Sequence, residues 1–275
     1  MAARPLQLII DPKQLREIGK QGVRRAAAFL GIGLPLTETY IPSSLALEQH
    51  SMWRFFPEPV PEPLGRDAVR EFRSWLVGNA LRELDTYFSL FLDETWKLLT
   101  WSKLHGTAVS STHTVKQISD ETNAAKKLRL VMRTLGDEEP DTSMLWSMSN
   151  ARNCLTHNLG LVAPRYAKSD GALLIRWTAF EARIQQRTQY IVVPPVIIDG
   201  LQAPDPSQEA DVVMAIVERE KRFAIGEKIE LTPGELHEIC VYYSRVTDLV
   251  TEKFIADLVA RGIGPAQHPS GSAPS

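Results

Sequence analysis

The chain has 275 residues, with 31 Lys+Arg against 33 Asp+Glu, 44% hydrophobic and 23% charged residues, and a formal net charge of -2. This composition excludes disordered, collagen-like and coiled-coil chains, which depart strongly in charge, in Gly and Pro, or in helix-forming residues, and it argues against a globally basic nucleic-acid coat. No apolar run approaches the roughly 18 residues of a spanning helix, and the apolar stretch at residues 6–10 is too short for a signal peptide. Cys154 and Cys240 make no disulfide framework, so a cytoplasmic protein of a reducing compartment, with no membrane partner, is expected.

Residues 12 to 30 read as a helix, with Asp11 as N-cap, Pro12 at the first helical position and Gly31 and Gly33 as its end. From Pro57 to Pro63 every second residue is proline, which favours a stiff extended linker. A main boundary is placed there, between an N-terminal helical extension (1–63) and a helical domain (64–262). Residues 67–104 carry Val69, Phe72, Leu76, Ala80, Leu84 and Phe88 at spacings of three and four, which predicts a long helix. A second domain helix is expected over 114–135, ending at Gly136, and a third over 142–157, ending near Gly160.

The stretches 172–178 and 189–198 are rich in Ile, Val, Tyr and Trp and predict strands, the second broken by Pro194 and Pro195. Residues 211–223 are expected to form a short helix. The last helix, 232–261, has a full set of start signals: Thr232 as N-cap, Pro233, Glu235 closing a capping box, and Leu231 with Leu236 as a staple. Residues 263–275, rich in Gly, Pro and Ser, are expected to be a disordered tail.

There is no phosphate loop, no His-Glu-x-x-His, no Cys-x-x-Cys and no calcium loop, and the six histidines do not cluster at ligand spacing. Neither a metal nor a cofactor is expected. One constellation remains, in the run SNARNCLTHNLG at residues 149–160: Arg152, polar Asn153 directly after it, and His157 near the expected helix end. The same loose Arg-to-His spacing recurs at Arg261 and His268, but there it falls in a Gly/Pro-rich tail without a polar residue after the arginine.

The Arg-Asn-x3-His pattern in its helical setting resembles the motif of the HEPN superfamily, many of whose members are metal-independent endoribonucleases. The resemblance covers about residues 67–261. It implies a mainly α protein: a four-helix up-down bundle with a small β insert between the third and fourth core helices and an N-terminal extension. It implies RNA as substrate, cut by transesterification from the 2′-hydroxyl in a toxin or antiviral-defence role, and a homodimer whose two motifs share a cleft. A neutralising antitoxin or other partner protein fits the same role.

The residue types suit that reaction. His157 can exchange a proton near neutrality, Arg152 stays charged and can hold two phosphate oxygens, and Asn153, one helical turn from His157, can orient the imidazole or the phosphate. Two alternatives stay open. One is a non-catalytic dimerisation or interaction module of the same fold with a regulatory role. The other makes Arg152 and His157 structural, the imidazole capping its own helix. Charge adds a modest signal: residues 142–187 hold six basic against two acidic side chains, whereas 205–275 hold seven against twelve.

Overall fold

The computed structural model describes residues 10–39, 57–105, 118, 121, 123–168, 170–186, 189–193 and 211–263. The described part is mainly helical, with α1 (Pro12–Thr39), α2 (Glu62–Ser102), α3 (Ala124–Thr134), α4 (Ser143–His157) and α5 (Pro233–Ala260). Strands β1 (Ala172–Gln186), β2 (Gln189–Val193) and β3 (Asp211–Ala224) form one antiparallel sheet in the order β2-β1-β3, which lies in the chain between α4 and α5. The expected helix before residue 123, the chain after Val193 around Pro194 and Pro195, and the expected tail fall wholly or largely outside the described residues.

Several helix starts follow their local code. Asp11 Oδ1 accepts from the backbone N–H of Lys13 at 2.9 Å and of Gln14 at 3.4 Å. At α5 the capping box closes both ways: Glu235 N–H donates to Thr232 Oγ at 3.2 Å, and Thr232 N–H donates to the Glu235 carboxylate at 2.7 Å. Leu231 and Leu236 beside it are both buried.

Two expectations are corrected. Helix α1 does not stop at Gly31 or Gly33 but runs through Pro35 to Thr39. Neither glycine adopts the left-handed backbone that ends a helix, and Leu30 and Leu34, four apart and both buried, carry the apolar stripe past them. Residues 211–223, expected to be helical, are strand β3, which pairs with β1 from Asp211–Gln185 to Ala224–Ala172. The run Glu218, Arg219, Glu220, Lys221 favours a helix on propensity, but the partner strand imposes a period of two, and exposure alternates along these residues accordingly.

The chain forms two compact units. The first comprises Met1–Arg25, Glu83–Trp146 and Tyr243–Ser275. Its core holds Phe88, Phe91, Leu92, Val131, Val250 and Phe254, with the Tyr243 ring edge-on to Phe88 at a centroid distance of 5.6 Å. Lys127 of α3 is buried among these helices, and its ammonium donates to Asp93 of α2 at 2.7 Å.

The second unit comprises Ala26–Arg82 and Ser147–Tyr242. The inner face of its β1–β3 ribbon presents Leu173, Ile175, Trp177 and Ala179, all buried. The Trp177 indole N–H donates to Glu238 of α5 at 2.7 Å, and Lys221 of β3 reaches Glu235 of α5 at 2.9 Å. Glu181, buried on the same face, takes Arg183 at 2.9 Å and Arg219 at 3.0 Å.

Two outcomes follow for stability. In the first unit, Asp93→Ala strands the buried Lys127 ammonium and should cost about 3 kcal/mol or more in urea unfolding, whereas Lys127→Met, which leaves a partly hydrated carboxylate, should cost less than half as much. Equal losses would show that the ion pair is not the relevant term. In the second unit, the Arg183 hydrogen bond, opposed by burial and aided by Arg219, holds the Glu181 carboxyl below its ordinary value. A depressed carboxyl contributes stability that is fully present above the unfolded-state pKa and is lost as pH falls through the folded one. Acid titration of thermal stability should therefore show a loss below the ordinary carboxylate range that is smaller in Glu181→Gln.

Candidate functional site

Within the second unit, the part of α4 from Ser147 onward packs one side through Ser147, Met148, Ala151, Cys154 and Leu155, and Ser149 beside them is buried as well. The spacing of three and four within that side is that of a helix face. The Ser147 hydroxyl fixes the helix to β1: it accepts from Arg176 N–H at 3.0 Å and donates to the Arg176 carbonyl at 3.4 Å. Near the other end, α2 comes close at Gly78, where a Cβ would stand 3.1 Å from Leu155 Cβ and 3.3 Å from Thr156 Cγ2. With that side committed to packing, Arg152 and Asn153 are half-buried and Thr156 and His157 are exposed.

The structure brings two of the three motif residues into direct contact. The Arg152 guanidinium donates to the Asn153 carboxamide oxygen, from Nε at 3.3 Å and from Nη2 at 3.0 Å. The Asn153 amide nitrogen has no partner among the described residues. The imidazole of His157 makes no hydrogen bond or ion pair among the described residues, so it does not cap its own helix there. Thr156 Oγ instead donates back to the Arg152 carbonyl at 2.9 Å.

The turn after His157 explains the Asn-Leu-Gly sequence. The N–H groups of Asn158 and Gly160 both donate to the Cys154 carbonyl, at 3.0 and 3.1 Å, while Leu159 (φ 53°) and Gly160 (φ 83°) take left-handed backbone. Two successive left-handed residues are tolerated because the second is glycine. The turn is then joined to the segment after β3: Ile229 N–H donates to the Gly160 carbonyl, Val162 N–H to Glu227 and Gly226 N–H to Val162, at 2.9 to 3.0 Å. Leu161 and Lys228 form an antiparallel bridge.

Lys228 is the residue that sequence reading missed. It lies in the stretch counted as acidic, yet its Cε is 3.6 Å from where a Cβ on Gly160 would be, three positions after His157. No local pattern announces it, because the bridge that brings it there joins segments far apart in the chain.

Cys154, inside the motif, is fully buried. Burial raises its thiol pKa, opposed by the Ala163 N–H and the charge of Arg165. A concavity of the same unit, about 340 Å3, is lined by Leu30, Leu34, Leu236, Cys240, Glu38 and His237 among others. Among the described residues no three His, Cys, Asp or Glu side chains gather to hold a metal ion, and no helix is long and apolar enough to cross a membrane. No family model, curated protein or solved structure matches the chain.

Burial also pushes the Cys240 thiol up to about 11. Since the thiolate is the reactive species, both cysteines should resist iodoacetamide in the native protein at neutral pH and react together in denaturant, as read by mass spectrometry. Fast native labelling of Cys154 would contradict its structural assignment.

Proposed function

We propose that this protein is a metal-independent endoribonuclease built on a HEPN-type four-helix bundle and acting as a homodimer in a toxin or antiviral-defence role. The observation that carries this reading is the disposition of one helix: at its end an exposed imidazole with no partner among the described residues, and a guanidinium held by an adjacent carboxamide one turn earlier. A histidine with only a structural task would be expected to spend its nitrogens on protein partners.

In the reaction, the substrate 2′-oxygen attacks the adjacent phosphorus, the bond to the 5′-oxygen breaks, and a 2′,3′-cyclic phosphate and a 5′-hydroxyl result. Arg152 binds the phosphate oxygens as negative charge builds. Asn153 positions that guanidinium through its carboxamide oxygen and leaves its amide donors for the substrate. His157 donates a proton to the leaving 5′-oxygen. Removal of the 2′-proton needs a second group, and the partner subunit of a two-fold dimer supplies another copy of the motif.

A second reading is favoured by a specific feature. Phe72 and Trp75 of α2 are 42% and 60% exposed and stacked with centroids 5.9 Å apart, and Leu159 of the motif turn is 75% exposed. Ser74, between the two rings in sequence, lies against Gly160 of that turn. Exposed apolar surface of this kind suits a protein contact. It serves the homodimer or a neutralising antitoxin in the first reading, and a regulatory partner in a non-catalytic interaction module.

RNA cleavage and growth inhibition by the wild type, Arg152→Ala and His157→Ala, all in EDTA, separate the two. Loss of at least a hundredfold in each variant, with wild-type thermal unfolding and products ending in 2′,3′-cyclic phosphate, is expected of the nuclease. Equal behaviour of all three proteins removes this site from the chemistry. Sedimentation equilibrium should show a dimer, and a fully active monomer would rule out the shared cleft.

A further inference from the structure

In the second unit every basic side chain of the described β1–β3 ribbon has an acidic partner: Arg176 with Glu218, Arg183 and Arg219 with Glu181, Lys221 with Glu235, and Arg222 with Asp170. The segments joined to the motif turn differ. Arg165, Lys168 and Lys228 meet no carboxylate within salt-bridge distance among the described residues. A cation already paired contributes little to the field felt by a polyanion, so the cations without an ion pair here belong to the segments joined to the motif turn and not to the ribbon.

The placement of these groups is specific. The 3₁₀ turn Pro164–Tyr166 begins two residues after Val162, whose backbone pairs with Gly226 and Glu227, so it starts beside the segment that carries Lys228 and the motif turn. There the exposed Arg165 guanidinium carbon lies 4.8 Å over the half-exposed ring of Tyr166. Lys228, held by its bridge to Leu161, extends its side chain across Gly160. A cation stacked on an aromatic ring offers a flat surface to an unpaired base, and a nearby ammonium offers a point charge to a phosphate.

We propose that Arg165, Tyr166 and Lys228 form a subsite for single-stranded RNA next to the motif, in which the Arg165–Tyr166 pair stacks on an unpaired base and Lys228 holds a phosphate flanking the scissile one. The proposal rests on the nuclease reading for its substrate and adds positioning residues that set strand choice and register. These residues do not touch the reacting atoms.

The test uses the full chain and a fluorescein-labelled single-stranded 2′-O-methyl RNA, which cannot be cleaved, with duplex DNA of the same length as the second probe. Binding by anisotropy over a salt series is measured for the wild type, Tyr166→Ala, Lys228→Gln and Lys228→Arg, each checked for unchanged thermal unfolding. Lys228→Gln should weaken binding severalfold and flatten the slope of log K against log salt by about 0.7, one phosphate contact on a single strand, and Lys228→Arg should restore both. Tyr166→Ala should weaken RNA binding about tenfold with the slope unchanged, since stacking carries no counterion release. In cleavage, both should raise KM with kcat retained.

Unchanged affinity and slope in Lys228→Gln and Tyr166→Ala overturn the subsite, and if the wild type still cleaves RNA the nuclease reading survives alone. Binding that responds as expected in a protein that cuts no RNA keeps the subsite and overturns the nuclease. Duplex DNA bound as tightly as RNA, and equally weakened by Lys228→Gln, overturns the single-strand assignment.

Discussion

The second unit depends on how closely α2 can approach the last turn of α4. At Gly78 there is room for a hydrogen but scarcely for a methyl group, since a Cβ would come within 3.1 Å of Leu155 Cβ. This contact and the paired hydrogen bonds between Ser147 and the Arg176 backbone hold the helix at two points less than three turns apart. A helix held in that way cannot rotate about its axis without losing both contacts. His157, exposed and with no hydrogen bond or ion pair among the described residues, is therefore placed by packing elsewhere on the helix and not by contacts of its own. Polar side chains that the fold does not need for cohesion are what a reactive or binding surface requires.

The turn beyond His157 extends this constraint. Its left-handed pair, Leu159 and Gly160, reverses the chain so that backbone groups pair with residues 226–229. Without that reversal the carbonyl end of α4 would be left to solvent, and Lys228 would have no reason to lie over it. The same few hydrogen bonds thus satisfy the helix end, close the β1–β3 ribbon onto α4 and gather charge beside the motif. Structural economy of this kind makes substitutions in the turn hard to interpret, because a change at Gly160 would alter helix termination and charge placement together.

How far these features were legible in the chain depends on the range of the forces behind them. The start of α5 was readable residue by residue, since Thr232, Pro233 and Glu235 act within one turn of each other. The same holds for Asp11 at α1 and for the stop at Gly160. Strand β3 was not readable from propensity: Glu218, Arg219, Glu220 and Lys221 are good helix formers, and only pairing with β1 makes them alternate. A hint was present in Val212, Val213, Ile216 and Val217, whose branched side chains favour a strand. The motif residues were found because they lie close in sequence on one helix, whereas Lys228 reaches the same place through a bridge between distant segments.

Charge shows the limit of linear reading most clearly. Residues 142–187 hold six basic side chains against two acidic ones, which suggests a positive region. In space the count changes in both directions: Arg176 is answered by Glu218 of the neighbouring strand, whereas Asp170, an acid of the stretch itself, is taken by an outside cation, Arg222. Arg183 and Arg219 share Glu181. Among the described residues, Arg165 and Lys168 from the basic stretch and Lys228 from the acidic one meet no carboxylate within salt-bridge distance, a set drawn from both sides of the linear count. A polyanion responds to the surviving set, because paired charges present little net field beyond a Debye length of roughly 10 Å. A sum over sequence therefore points toward the motif for only part of the right reason, and the pairing pattern decides which cations can act there.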